Sequence, residues 1–125
     1  MTKARQSMGR EAEEMVGARL EADGWRIVER NARTRYGEID IVALEGRRLV
    51  FIEVKAGRIG AAAGPERPAL AVGRAKQRRL RRLAVAWMSR QPRVPFHSEI
   101  RFDVVGVTFA PGGAVAAYEH IPDAF

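Results

Sequence analysis

The stretch G37-EIDIVALEGRRLVFIEVKA-G57 holds two β-branched, apolar runs joined by the turn-forming EGRR. Each run reads as a strand, and so short a connection makes them an antiparallel hairpin. Both runs carry charges: Glu38 and Asp40 in the first, Glu53 and Lys55 in the second. Charges inside strands need partners or a task. Side chains alternate along a strand. Val50, Ile52 and Val54 therefore share one face, read as core, and Phe51, Glu53 and Lys55 share the other. Glu38 and Asp40 are expected opposite Ile39 and Ile41. Pairing around EGRR brings Asp40 toward Glu53.

Two carboxylates that close repel unless a cation stands between them. Carboxylate and carbonyl oxygens suit Mg²⁺. An ammonium on the same face, Lys55, would orient or deprotonate a water, or neutralise a phosphoryl oxygen. That combination describes a phosphodiesterase site. The plainer reading is a solvated Asp40 beside a surface Glu53–Lys55 ion pair, and the short D…ExK pattern does not choose between the two.

Outward from the hairpin, residues 9–22 have helical periodicity, with Ser7 as a cap and Asp23-Gly24 as a stop. Glu13 falls on the face of Val16 and Leu20, at the edge of the core. Trp25, Ile27 and Val28 suggest a short strand ending near Asn31, followed by a basic loop, ARTRYG, at 32–37. Residues 56–71, rich in Ala, Gly and Pro, read as a loop. A helix is expected over 72–90, with Leu80, Leu83, Ala84, Trp87 and Met88 as its stripe. Strands are expected over 101–109 and, at an edge, 115–121. Arg101 and Asp103 read as a pair on a wet face. Trp25, Trp87, Phe102 and Phe109 read as core, while Tyr36 stands in the basic loop, where an aromatic ring has a base to stack on. These elements make one α/β domain spanning 1–125.

The 125 residues include no cysteine, which excludes disulfides, thiol catalysis and cysteine-based zinc sites. No apolar run has the roughly 20 residues that span a membrane. The N-terminus lacks the apolar segment of an export signal, so a cytoplasmic location is expected. The net charge of +7 points to anionic partners, nucleic acid first. Six basic residues and no acid lie between Arg74 and Arg82. Lys76, Arg78, Arg79 and Arg82 are the expected phosphate contacts, with Arg30, Arg33 and Arg35 extending the footprint where the fold brings them near. A solvated helix face is the bland alternative.

Taken together, GREAEEMVGARLEADGW, ERNARTRYGEIDIVA, LVFIEVKAG, GRAKQRRLRRLAVAW, RFDVVGV and EHIPDAF resemble the bacterial YraN-like family across nearly the whole chain. That family is similar to the PD-(D/E)xK nuclease superfamily, especially archaeal Holliday-junction resolvases. The resemblance implies a restriction-endonuclease-like three-layer fold, a central mixed β-sheet flanked by helices. It implies that Glu13 is the first-helix acid and Asp40 the acid of the second core strand. Glu53 and Lys55 would be the E-x-K pair, with Asp40, Glu53 and the Val54 carbonyl holding Mg²⁺ or Mn²⁺. Lys76 matches a lysine before the family's basic helix, Asn31 and Arg33 match its polar segment ahead of GEID, and Gly37 matches its turn glycine. One departure is Gly57, where the family has an arginine; Arg58 follows one place later. The implied activity is metal-dependent hydrolysis of DNA phosphodiester bonds, branched DNA included. A homodimer would suit cutting two strands of a junction. The alternatives are a nucleic-acid binding module that does not cut, built on the same fold, and a structural protein.

Overall fold

The computed structural model of the chain describes residues 3–60 and 67–125. Its elements are α1 (Lys3–Ala22), β1 (Arg26–Thr34), β2 (Gly37–Glu45), β3 (Arg48–Arg58), a 3₁₀ turn (Pro68–Leu70), α2 (Arg74–Arg90), β4 (Glu99–Phe109) and β5 (Val115–Ile121). The five strands form one mixed sheet in the order β1-β2-β3-β4-β5. All neighbours are antiparallel except β3 and β4, which run parallel because α2 carries the chain back across a sheet face. The result is the three-layer, restriction-endonuclease-like α/β architecture, with α1 on one face and α2 on the other.

Gly46 sets the β2–β3 turn. It occupies the first central position with φ 57°, the backbone that a two-residue hairpin turn of this kind requires. Both faces of β3 are then covered. Val50 and Ile52 pack with Ile41, Ala43, Val105 and Val107 beneath Ala12, Val16 and Leu20 of α1. Phe51, expected on the polar side, instead joins Leu49, Val42 and Phe102 beneath Leu80, Leu83, Ala84 and Trp87 of α2. Trp87 meets Phe51 edge-on with centroids 5.8 Å apart, and its Nε1–H donates to Glu29 at 2.9 Å. The indole is thus buried with its polar end satisfied.

Several expectations need correcting. The first helix begins at Lys3, so Ser7 lies within it rather than capping it. The segment 32–37 is not all loop, because β1 continues to Thr34 by pairing with β2. Nor is 56–58 loop: β4 offers a partner as far as Phe109, and β3 continues along it to Arg58. The 3₁₀ turn interrupts the rest of 56–71, of which 61–66 lie outside the described residues. Ala69 of that turn sits so close to β4 that a Cβ on Gly106 would come within 2.6 Å of its backbone nitrogen.

Asp103 does not lie on a wet face. It is fully buried because β5 and the following residues cover it. Arg101 donates to it from Nε (2.8 Å) and Nη2 (2.9 Å), His120 Nε2 lies at 2.7 Å, and the Asp123 N–H donates at 3.0 Å. Burial alone would raise its pKa; the bonds from His120, Arg101 and Asp123 outweigh it and hold the carboxyl below its ordinary value. Phe125 stacks on Phe102 at 5.3 Å, which closes the same edge of the molecule. Among the described residues, no helix is long and apolar enough to cross a membrane.

Candidate active site

The β2–β3 ladder stops at the pair Ile41–Ile52. Asp40 and Glu53 are the next residues on each strand, placed side by side where the strands part. Beyond that point the Val54 N–H has no partner on β2's backbone. It donates instead to Asp40 Oδ2 at 2.8 Å, which fixes the carboxyl.

Strict alternation fails at this point. Ile39 packs beneath α2 and Ile41 beneath α1, although the two are only two residues apart. On β1, Asn31 faces Asp40 between the pairs Arg30–Ile41 and Ala32–Ile39, and takes the left-handed φ of 49°. An asparagine tolerates that backbone better than most residues. Asp40 lines a cleft on the Glu13 side and another on the α2 side, which sets it at the border of the two sheet faces. The expected common face for Ile39 and Ile41 is therefore overturned, and Asp40 is open to both sides.

One cleft, of about 380 Å³, is lined by Glu13, Asp40, Glu38, Asn31 and the arginines 10, 30 and 33. A second, of about 400 Å³, holds Asp40, Glu53, Lys76, Arg79 and Gly37. Asp40 and Glu38 belong to both. From α1, Glu13 reaches hydrogen-bonding range of Asp40. On the other side Glu53 Oε1 receives Lys76 Nζ at 3.1 Å and Lys55 Nζ at 3.6 Å. Glu53 is 7% exposed, a buried charge that needs such partners.

The electrostatics are those of crowding. Burial and the neighbouring charge of Glu53 push the Asp40 carboxyl up to about 8, against the opposing Val54 hydrogen bond. Burial also raises Glu13. Lys55 is lowered, first by burial and then by Lys76, which hydrogen-bonds to it. Lys76 moves the other way. Burial lowers it, but the hydrogen bond to Lys55 and the charges of Glu53 and Asp40 leave it raised. The two amines share the Glu53 carboxylate, and their shifts run in opposite directions. Three carboxyls and two amines thus share one partly dry site, an arrangement suited to proton transfer and to holding a hard cation.

The remaining expected residues divide. Arg79 lines the second cleft over Gly37, whose φ of 140° and missing Cβ admit it; a Cβ there would stand 2.7 Å from Nη2. Arg82 lies with its guanidinium carbon 5.9 Å from the Tyr36 ring centroid, and Arg35 at 5.3 Å. Arg78 is exposed on α2. Arg33, also exposed, donates to Glu38 at 3.1 Å. Arg58 lines a separate cavity with Ser7, Glu11 and Phe109, so it does not replace at this site the arginine that Gly57 displaces.

Sequence reasoning left the aim of Lys76 open and missed Arg10 and the meeting of the two lysines. A signal existed for Lys76. It stands four residues before Leu80, seven before Leu83 and eleven before Trp87, so it extends the buried stripe of α2. Arg30, expected with Arg33 and Arg35 to extend the basic footprint, lays its guanidinium across Gly17 of α1, a contact that only the tertiary fold creates.

The model of uncharacterised protein family UPF0102 matches residues 12–107, which include Glu13, Asp40, Glu53, Lys55 and Lys76. A UPF0102 protein of Geobacter metallireducens is 42% identical over 95% of this chain and 92% of its own length. One from Anaeromyxobacter dehalogenans is 44% identical over 97% and 85%. One from Parafrankia sp. is 48% identical over 96% and 97%. On these matches, spanning most of its length, the chain belongs to the UPF0102 family.

Proposed function

We propose that the chain is a divalent-metal-dependent endonuclease that hydrolyses DNA phosphodiester bonds, branched DNA among its substrates. One observation carries the reading: Asp40 and Glu53 converge where β2 and β3 part, with Glu13 beside one and two lysine amines at the other. The donor set fits Mg²⁺ or Mn²⁺. It consists of hard oxygens whose crowding a cation would relieve. Among the described residues, no group of three or more His, Cys, Asp or Glu is arranged as a finished metal cage. Mg²⁺ is commonly held by one or two carboxylates and completes its shell with water and substrate phosphate.

Asp40, Glu53 and the Val54 carbonyl would hold the ion, with Glu13 assisting Asp40. Once bound, the cation would polarise the phosphate and lower the pKa of a bound water. The chain's own residues supply the rest. The Val54 N–H orients Asp40. Lys76 holds the Glu53 carboxylate, and Lys55 beside it would orient the attacking water or help deprotonate it. Arg79 lines the cleft, where it would steady a phosphate; Arg33, Arg35, Arg78 and Arg82 supply positive charge for the backbone on either side.

A second reading, nucleic-acid binding without cleavage, is favoured by one observation. Lys76 and Lys55 already neutralise Glu53, so an ammonium occupies ground that a metal would need. Incubating four-way junction, flap and duplex DNA with Mg²⁺ or Mn²⁺ separates the two. Cleavage that D40A and K55A each abolish supports the nuclease. Binding by the wild type with no cleavage in either metal supports the binding module and ends the nuclease reading.

A further inference from the structure

A groove of about 800 Å³ runs between the tip of the β1–β2 hairpin and α2. It is lined by Arg35, Tyr36, Arg82, Val85, Ala86 and Arg90, with Ser89 the remaining contributor. We infer that this groove is a subsite for an unpaired nucleotide strand, with one base stacked at Tyr36 and the neighbouring phosphates on Arg35, Arg82 and Arg90. The inference rests on the reading that the chain engages nucleic acid and adds the form of strand it prefers.

Four observations carry it. First, Tyr36 is 48% exposed, a large aromatic left open at a hairpin tip, and Val85 on the facing helix is 66% exposed. Flat apolar surface of this kind suits the face of a base and the edge of a sugar. Second, charge is one-sided: three arginines line the groove and no carboxylate does. The occupant must therefore be a polyanion that also presents planar apolar faces. A nucleotide strand does so only where its bases are unpaired, since a duplex hides them in its stack.

Third, the platform is fixed rather than loose. Thr34 Oγ1 accepts the Tyr36 N–H at 3.1 Å and donates to the Gly37 carbonyl at 2.9 Å, closing the hairpin tip around the tyrosine. A ring carried on a fixed backbone has only its own side-chain rotations to lose when a base stacks on it. Fourth, residues next to one another in the chain line the groove and the candidate active site. Gly37, next in the chain to Tyr36, lines the cleft that holds Asp40, Glu53, Lys76 and Arg79. Along α2, Lys76, Arg79 and Arg82 follow one another at three-residue spacing, on neighbouring turns of one side of the helix. Lys76 meets Glu53, Arg79 covers Gly37 and Arg82 meets Tyr36. A strand seated in the groove would thus be led to the scissile position, as at a flap, a fork or the unpaired centre of a junction.

The test uses the full chain in EDTA, so that binding is read without cleavage. Anisotropy of a labelled single-stranded oligothymidylate and of a blunt duplex of equal length gives the two affinities. A base analogue, 2-aminopurine, placed in a second single strand reports stacking through loss of its fluorescence. Removing a stacked ring is expected to weaken single-strand binding by roughly 5- to 150-fold. Y36A is expected to show that loss, to leave duplex affinity within about twofold, and to abolish the quenching. Y36F is expected to retain both affinity and quenching, and matching unfolding midpoints exclude misfolding. The inference is overturned if Y36A binds single strands as the wild type does, or if it loses both DNA forms equally. It is also overturned if polyglutamate displaces the oligonucleotide as well as an unlabelled strand does. Its fate differs from that of the catalytic reading. A selective loss in Y36A, in a protein that cuts nothing with Mg²⁺ or Mn²⁺, upholds the subsite and ends the nuclease. Metal-dependent cleavage by the wild type, with Y36A unaltered in binding, does the reverse.

Discussion

Asp40→Asn preserves the size of the side chain and its acceptor for the Val54 N–H, while deleting the charge that this site resists most. In the folded chain Asp40 keeps its proton up to about pH 8, because it is buried and faces Glu53; the ordinary value is 3.8. Between those two values the folded state holds a proton that the unfolded state has released. Stability therefore falls as pH rises through that window. Asparagine does not titrate and escapes the loss. Each pH unit of the window is worth about 1.4 kcal/mol, which sets a ceiling of about 6 kcal/mol. Reorganisation of the coupled carboxyls and water entry should bring the measured effect to on the order of 2–4 kcal/mol. Urea unfolding in EDTA, followed by circular dichroism, reads it directly. The variant is expected to match the wild type at about pH 3, where Asp40 is protonated in the folded and the unfolded chain alike, and to exceed it by that amount at about pH 9. A D40N protein no more stable than the wild type at the higher pH would refute the crowding argument. A gain of equal size at both pH values would also refute it, since that would be packing rather than charge.

Leu83→Ala, which opens a hole between α2 and the sheet, should cost about 2–5 kcal/mol in urea unfolding, a loss that Leu83→Met should largely avoid. Gly37→Ala places a side chain at positive φ against Arg79, and should lower stability by about 1–3 kcal/mol. A thermal melt measures it, and an unchanged midpoint would contradict the described close approach. Asp103 has a depressed pKa, so its contribution is complete above the ordinary carboxyl value and is lost as pH falls through the folded value. Asp103→Asn should therefore cost about 3–5 kcal/mol near neutrality, with the gap to wild type closing in acid; a gap constant across an acid titration of unfolding would be evidence against the network.

The hairpin was legible because everything that defines it is local. Gly46 sets the turn, β-branched runs flank it, and the two-residue alternation of Glu53 and Lys55 puts acid and amine on one side. The pairing of Asp40 with Glu53 follows from that turn by counting. What escaped is non-local. Counting along β2 puts Ile39 and Ile41 on the same face, yet they pack beneath different helices, opposite the left-handed backbone of Asn31. Asp103 looked solvated because its covering residues, His120 and Asp123, are some twenty positions away. The parallel pairing of β3 with β4 depends on where α2 returns the chain, and this kept residues 56–58 from being read as strand. The lysine pair arises from a strand and a helix meeting, and neither segment alone announces it.

The hydrogen bond from Val54 to Asp40 turns one backbone amide into a native probe of the site. Its proton is held by a side chain rather than by a neighbouring strand, so its chemical shift and its rate of exchange with deuterated solvent should follow whatever the carboxyl is doing. The adjacent amides of Ile52 and Phe51, inside the regular ladder, should stay indifferent. Titrating a cation, an oligonucleotide or acid into isotope-labelled protein would then be read at a single resonance, with no dye and no engineered tag.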